Sequence, residues 1–241
     1  MARGGVRRSR RGAAAVLFTL LVIPTAHAKS QFEDTIAQRV LACTLCHGAQ
    51  GRAARDGYYP RIAGKPADYL YRQLLNFRDG RRVYPLMTGL LDPLSDTYLR
   101  EIAEYFASLE LPYAMPPAPR TDAAALRRGE ELVKRGSGTV PACVHCHGEA
   151  LTGVLPAIPG LVGLPRDYLS AQLGAWRIGE RRAVAPDCMA QVAQRLAPSD
   201  LSAVADWLAS QPVPQPAKPV AALPAALPIP CGAAPTHGAA K

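Results

Sequence analysis

Two short stretches, one hundred residues apart, limit what this chain can be more than anything else in it. The first reads "ACTLCHG" over residues 42–48 and the second "ACVHCHG" over 142–148. Cys43 and Cys46 recur as Cys143 and Cys146, and the histidine that follows each pair, His47 or His147, recurs with them. His145 faces Leu45 in the other copy, so His147 belongs to the pattern and His145 is incidental. The likeness runs well past the cysteines. "YPRIAGKPADYLYRQLLNFRDG", from Tyr59, aligns without a gap with "IPGLVGLPRDYLSAQLGAWRIG", from Ile158, at an offset of 99. Further on the offset becomes 102, where Met87 falls on Met189, Leu94 on Leu196 and Leu99 on Leu201. Self-similarity over such a length is the mark of one unit duplicated in tandem.

The compartment decides how the cysteines are read. Residues 1–12 hold five arginines and no acid, residues 13–24 form an apolar run, and "AHA" at 26–28 is a small-residue cleavage signal. The run falls short of the roughly 20 apolar residues of a membrane span. Residues 1–28 are therefore expected to be a cleaved export signal, and the mature chain to work in the periplasm. The signal carries five of the formal +9 charges away, leaving +4, too modest an excess to argue for nucleic acid. Exported cysteines ordinarily pair as disulfides. Four of the six here stand instead in C-x-x-C-H, the attachment pattern of c-type haem: two thiols add to the vinyl groups and the adjacent imidazole ligates the iron. Zinc sites place their ligands at other distances.

Each unit reads as helical. A helix is expected before each C-x-x-C-H, over about 32–41 and about 122–135. A middle helix should start at Pro66 or Pro165, where proline suits the first turn, and stop near Gly80 or Gly179. Apolar residues at 99, 102, 103 and 106, and at 201, 204, 205 and 208, have the spacing of a last helix. Residues 29–110 and 123–212 are expected as two domains joined by the proline-rich linker 111–122, with the Ala/Pro-rich segment 213–241 as an extended or draped tail. Units this small have little core of their own. A covalent haem would complete it, so its removal should unfold the unit.

The second axial position sets the chemistry, since a methionine sulfur closes the site and raises the potential whereas an open position permits catalysis. Met1 leaves with the signal and Met115 has no counterpart. Met87 and Met189 correspond, 40 and 42 residues after their histidines, each in what reads as the loop between the middle and last helices. Matched positions favour ligands over flexible core filler. Only His145 and His237 remain for bis-histidine ligation, and neither is placed to serve both sites. Pro60 and Pro159 follow the histidines by 13 and 12 residues. Their carbonyls either accept from the imidazoles or belong to ordinary turns. Cys188 and Cys231 are left over; in an oxidising compartment a disulfide is the simplest expectation, with free or intermolecular thiols as the alternative.

With C-x-x-C-H, then P-x-[IL]-x-G, then a downstream methionine and a closing helix, each half resembles a class I cytochrome c. Over about residues 32–212 the whole resembles the dihaem cytochrome c4 family and its cytochrome c553-like relatives. The resemblance implies an all-α pair of class I folds packed about a pseudo-twofold axis. It implies haem on Cys43/Cys46 ligated by His47 and Met87, and haem on Cys143/Cys146 ligated by His147 and Met189. It also makes the Pro60 and Pro159 carbonyls acceptors for the imidazoles. The Cys188 that precedes Met189, the longer second loop and the tail with Cys231 depart from the pattern.

The expected function is a dihaem electron carrier, soluble or held at a membrane surface, between respiratory redox partners such as a dehydrogenase and a membrane oxidase. The alternative is the dihaem electron-transfer subunit of a dehydrogenase complex of the flavocytochrome kind. A dihaem peroxidase is disfavoured, because it needs an iron that opens to peroxide. Arg78, Arg81, Arg82, Arg177, Arg181 and Arg182 are read either as a basic ring that steers an acidic partner or as solvated helix ends and propionate counter-charges.

Overall fold

The first half of the duplication builds its helices from local signals. In the computed structural model, which describes residues 1, 33–54 and 57–234, α1 (Ile36–Arg39) and α2 (Leu41–His47) follow one another across a turn at Val40. Of the expected 32–41 helix only 36–39 forms before the turn, with 33–35 non-helical and Thr35 as its cap, and α2 carries the cysteines; residue 32 and most of the expected signal at 1–28 lie outside the described residues. After Pro66 comes α3 (Ala67–Arg78), then α4 (Pro85–Leu91) and α5 (Asp96–Ser108). Ser95 caps α5 by accepting from the Tyr98 amide at 3.2 Å. Leu99, Ile102, Ala103 and Phe106, spaced as one helix face, are all buried in the first core with Leu70, Phe77 and Leu91.

The second half repeats the plan. Asp122 caps α6 (Ala123–Arg135) through the Ala125 amide at 2.8 Å, and α7 (Val144–His147) carries the second motif. A two-residue antiparallel pair, β1 (Gly153–Val154) with β2 (Ile158–Pro159), follows. Then come α8 (Arg166–Ile178), α9 (Cys188–Arg195) and α10 (Pro198–Ser210). Where α6 crosses α10 only glycine fits: a Cβ on Gly129 would collide with the Ala203 carbonyl and the Trp207 side chain. The second core gathers Leu132, Val133, Leu169, Leu173, Val204 and Leu208.

Two readings of the sequence change. Met87 and Met189 lie in short helices, α4 and α9, rather than in loops. Pro85 opens α4, and the Asp187 carboxylate caps α9 by accepting from the Ala190 amide at 3.0 Å. Arg82 and Arg181 are not on a steering surface but buried, 9% and 4% exposed, where the repeats meet.

That junction is reciprocal. The Val83 amide donates to the Glu180 carbonyl at 3.1 Å and the Arg182 amide to the Arg81 carbonyl at 2.6 Å. Residues 109–122 form no helix or strand. Arg61 pins their start, donating to the carbonyls of Leu111 at 2.6 Å and Pro112 at 3.0 Å and stacking 3.9 Å from the Tyr113 ring centre. The tail lies along the second repeat: Val220 exchanges backbone hydrogen bonds with Gly153 and Leu155, both 2.9 Å, and Cys231 is bonded to Cys188. From Asp34 onward the repeats gather into one compact unit.

Candidate cofactor site

Helical spacing places the motif residues. On α2, Cys43, Cys46 and His47 stand at i, i+3 and i+4, on one face. Around α7, Cys143, Cys146 and His147 repeat that geometry. All four thiols are free and partly buried. Burial raises the pKa of the Cys43 and Cys146 thiols and pushes that of Cys143 up to about 12, so they are neutral thiols rather than metal-ready thiolates. No group of three or more His, Cys, Asp or Glu side chains could hold a metal ion by itself among the described residues.

The two imidazoles are held alike. Nδ1 of His47 lies 2.8 Å from the Pro60 carbonyl oxygen, and Nδ1 of His147 lies 2.7 Å from that of Pro159. A carbonyl can only accept, so Nδ1 carries the proton and Nε2 keeps its lone pair. Burial lowers the pKa of both histidines despite these bonds, which holds the rings neutral, as an iron ligand requires.

Both motifs open on one largely apolar cavity of about 840 Å³. Its walls bring together Cys43, Cys46, His47, Pro60 and Met87 with Cys143, Cys146, His147, Pro159 and Met189. Leu74, Phe77 and Ile102 line the first side, and Leu173, Val192 and Leu196 the second. The tail contributes Leu227 and Ile229, and the Cys188–Cys231 disulfide borders the cavity next to Met189. His145 is exposed and does not line it.

Where the repeats meet sits a polar cluster in which Arg82 and Arg181, read from sequence as a steering ring or as propionate counter-charges, take glutamine and tyrosine partners that the sequence reading did not assign to them. Arg82 donates to Gln73 at 3.1 Å, to Gln172 at 2.7 Å and to the Tyr168 hydroxyl at 3.0 Å. Arg181 donates to Gln172 at 2.8 Å and to Gln73 at 2.9 Å. The guanidinium carbons lie 4.3 Å from the Phe77 ring centre and 3.7 Å from that of Trp176. These two buried cations bond to no carboxylate among the described residues, and the indole N–H of Trp176 finds no acceptor there. Burial and the neighbouring charge of Arg82 push the pKa of Arg181 down. Paired cations in an apolar cavity call for anionic groups. Haem has an apolar ring with two carboxylates, and this wall of thiols, imidazoles, methionines and cations fits it. The clue lay in the repeat: Tyr69/Tyr168 and Gln73/Gln172 recur at i, i+4 on the middle helices, and Arg82/Arg181 recur just beyond the ends of those helices. The other arginines of the expected ring are mostly engaged at helix ends: Arg78 with Asp96 at 2.7 Å, Arg81 with Asp79 at 2.8 Å, and Arg177 with the Leu196 carbonyl.

No family model matches the chain. A thiosulfate dehydrogenase electron acceptor of Thiomonas intermedia is 40% identical over 71% of this chain and 79% of its own length. Cytochrome c4 of Pseudomonas aeruginosa is 32% identical over 80% and 94%. The crystal structure of reduced recombinant cytochrome c4 from Pseudomonas stutzeri superposes with a TM-score of 0.62, at 32% identity, over 71% of this chain and 94% of that one. The chain belongs to the cytochrome c4 family. As a cytochrome c4 it is an all-α electron carrier with covalently bound haem c, and the Cys–Cys–His motifs on α2 and α7 are where such attachment is chemically possible.

Proposed function

We propose that this cytochrome c4 is exported to the periplasm and holds two haems c, one per repeat, in the units 29–110 and 123–212 joined by 111–122. When bound, haem supplies a one-electron ferric–ferrous couple. Cys43 and Cys46 would anchor the first group and His47 and Met87 would ligate its iron; Cys143 and Cys146 would anchor the second, with His147 and Met189 as its ligands. The Pro60 and Pro159 carbonyls fix each imidazole with Nε2 free, and the apolar walls exclude water. The carrying observation is the duplication of the whole Cys–Cys–His–Pro–Met set around one cavity. Methionines matched in both repeats leave no designed opening for peroxide, so the chain moves electrons and makes no bonds.

For a partner, we propose that it takes electrons from a dehydrogenase of the thiosulfate-oxidising kind and passes them on toward a membrane oxidase. The name of the Thiomonas relative supports this choice. The test starts with haem per chain and the far-red band that methionine sulfur gives to ferric haem. Two haems per chain, with that band reduced by half in each of Met87→Ala and Met189→Ala, is the expected result. One haem, or a site that binds carbon monoxide in the unsubstituted protein, overturns the reading. The partner is tested by rapid mixing with a purified thiosulfate dehydrogenase and thiosulfate; failure to reduce the haems removes that donor while leaving the carrier role in place.

A further inference from the structure

The two sites are not electrostatically equivalent. Lys65 belongs to the first repeat, just before α3, yet its ammonium group is buried, 6% exposed, and donates across the junction to the Gly160 carbonyl at 3.1 Å. The preceding carbonyl in the same loop, that of Pro159, is the acceptor for His147 at 2.7 Å. Consecutive peptide groups therefore hold the proximal histidine of the second site and a cation from the other half. Lys65 lines the same cavity as His147. The residue that corresponds to Lys65 in the second repeat is Leu164, so the first site receives no matching cation from across the junction. Arg82 lines the cavity too, but it has Arg181 as its counterpart in the other repeat, whereas Lys65 has none. Burial and the neighbouring Arg61 push the lysine pKa down to about 8, which leaves it charged at neutral pH.

We propose that Lys65 is a positioning residue for electron transfer: a cation supplied by the first repeat that raises the reduction potential of the iron held by His147 in the second. The inference rests on the two-haem reading above. Reduction removes one positive charge from the iron, so a nearby buried cation favours the ferrous state, and the low-dielectric interior weakens that effect little. One half of the molecule thereby tunes the redox centre of the other.

The experiment is redox titration of the full haem-loaded chain at neutral pH, with each site's potential assigned from the methyl resonances of its haem in NMR spectra. Lys65→Gln keeps an N–H donor for the Gly160 carbonyl and removes the charge; Lys65→Met removes both; Lys65→Arg keeps both. The expected result is that Gln and Met each shift the second site's ferrous–ferric equilibrium about tenfold toward ferric, about 59 mV for one electron. The first site should move much less, and Arg should hold the wild-type value. An unmoved second potential in Lys65→Gln, or equal shifts at both sites, overturns the inference. If Lys65→Met fails to assemble, Lys65→Gln decides alone. Fewer than two haems on the unsubstituted chain overturns the functional reading itself, which haem content shows before any potential is measured.

Discussion

At the scale of single residues, the chemistry that was legible in the sequence is the chemistry that is local. Two thiols and an imidazole must sit within one helical turn to take one haem, so Cys43, Cys46 and His47 announce themselves by spacing. Met189→His should lower the second site's potential and abolish its far-red band while leaving the first site's spectrum intact, because imidazole donates to ferric iron more strongly than thioether sulfur does. Visible spectra and a redox titration check it. What could not be read is what depends on distant partners. Nothing in the local sequence says that Arg82 and Arg181 are buried or that Lys65 crosses to Gly160, since each acquires its surroundings only when the repeats dock. The draw of Arg82 toward Gln172, 90 residues away, is a tertiary fact.

Among the helices, long ones were legible and short ones were not. The closing helices α5 and α10 show more than two turns of apolar periodicity behind a cap or a proline. The methionine-bearing α4 and α9 have 7 and 8 residues, too few for a period to stand out, and so read as loops. The α6–α10 crossing gives two tests. Gly129→Ala should cost about 2 kcal/mol, because the backbone of α10 leaves no room for a methyl group; urea unfolding of the haem-loaded protein measures it. Arg128 on α6 grips Asp200 on α10 through two hydrogen bonds, 2.8 and 2.9 Å. The Arg128 hydrogen bond, aided by its charge, holds the Asp200 carboxyl below its usual range against the effect of burial. A lowered carboxyl pKa stabilises the fold above the unfolded value and loses that contribution as pH falls through the folded one. Asp200→Asn should therefore cost about 1 kcal/mol at pH 7, with the gap to wild type closing as pH falls below about 4. Unfolding curves at several pH values test the sign.

Taken whole, the molecule is built around what it binds. An apolar cavity of about 840 Å³ far exceeds the voids that close-packed interiors carry, and a domain ordinarily stable by only about 5–15 kcal/mol has little with which to hold it open and empty. A chain with all four attachment cysteines changed to alanine should lose most of its helical circular dichroism, not merely its colour. The tail is a separate matter. The Cys188–Cys231 disulfide closes a loop with a sequence separation of 43, and opening it with the double substitution to serine should cost about 2–4 kcal/mol in urea unfolding. The junction between repeats has a further consequence. Each half offers the same strip of chain and the same arginine to its counterpart, the arrangement that closes a twofold dimer of identical subunits and needs no tether. Such a contact can predate the fusion of two gene copies, as the surface on which separate single-haem proteins paired. Within a symmetric pair, any substitution appears twice. Fusion lifts that constraint, and lysine in one copy opposite leucine in the other, Lys65 and Leu164, is a difference that a pair of identical subunits cannot hold.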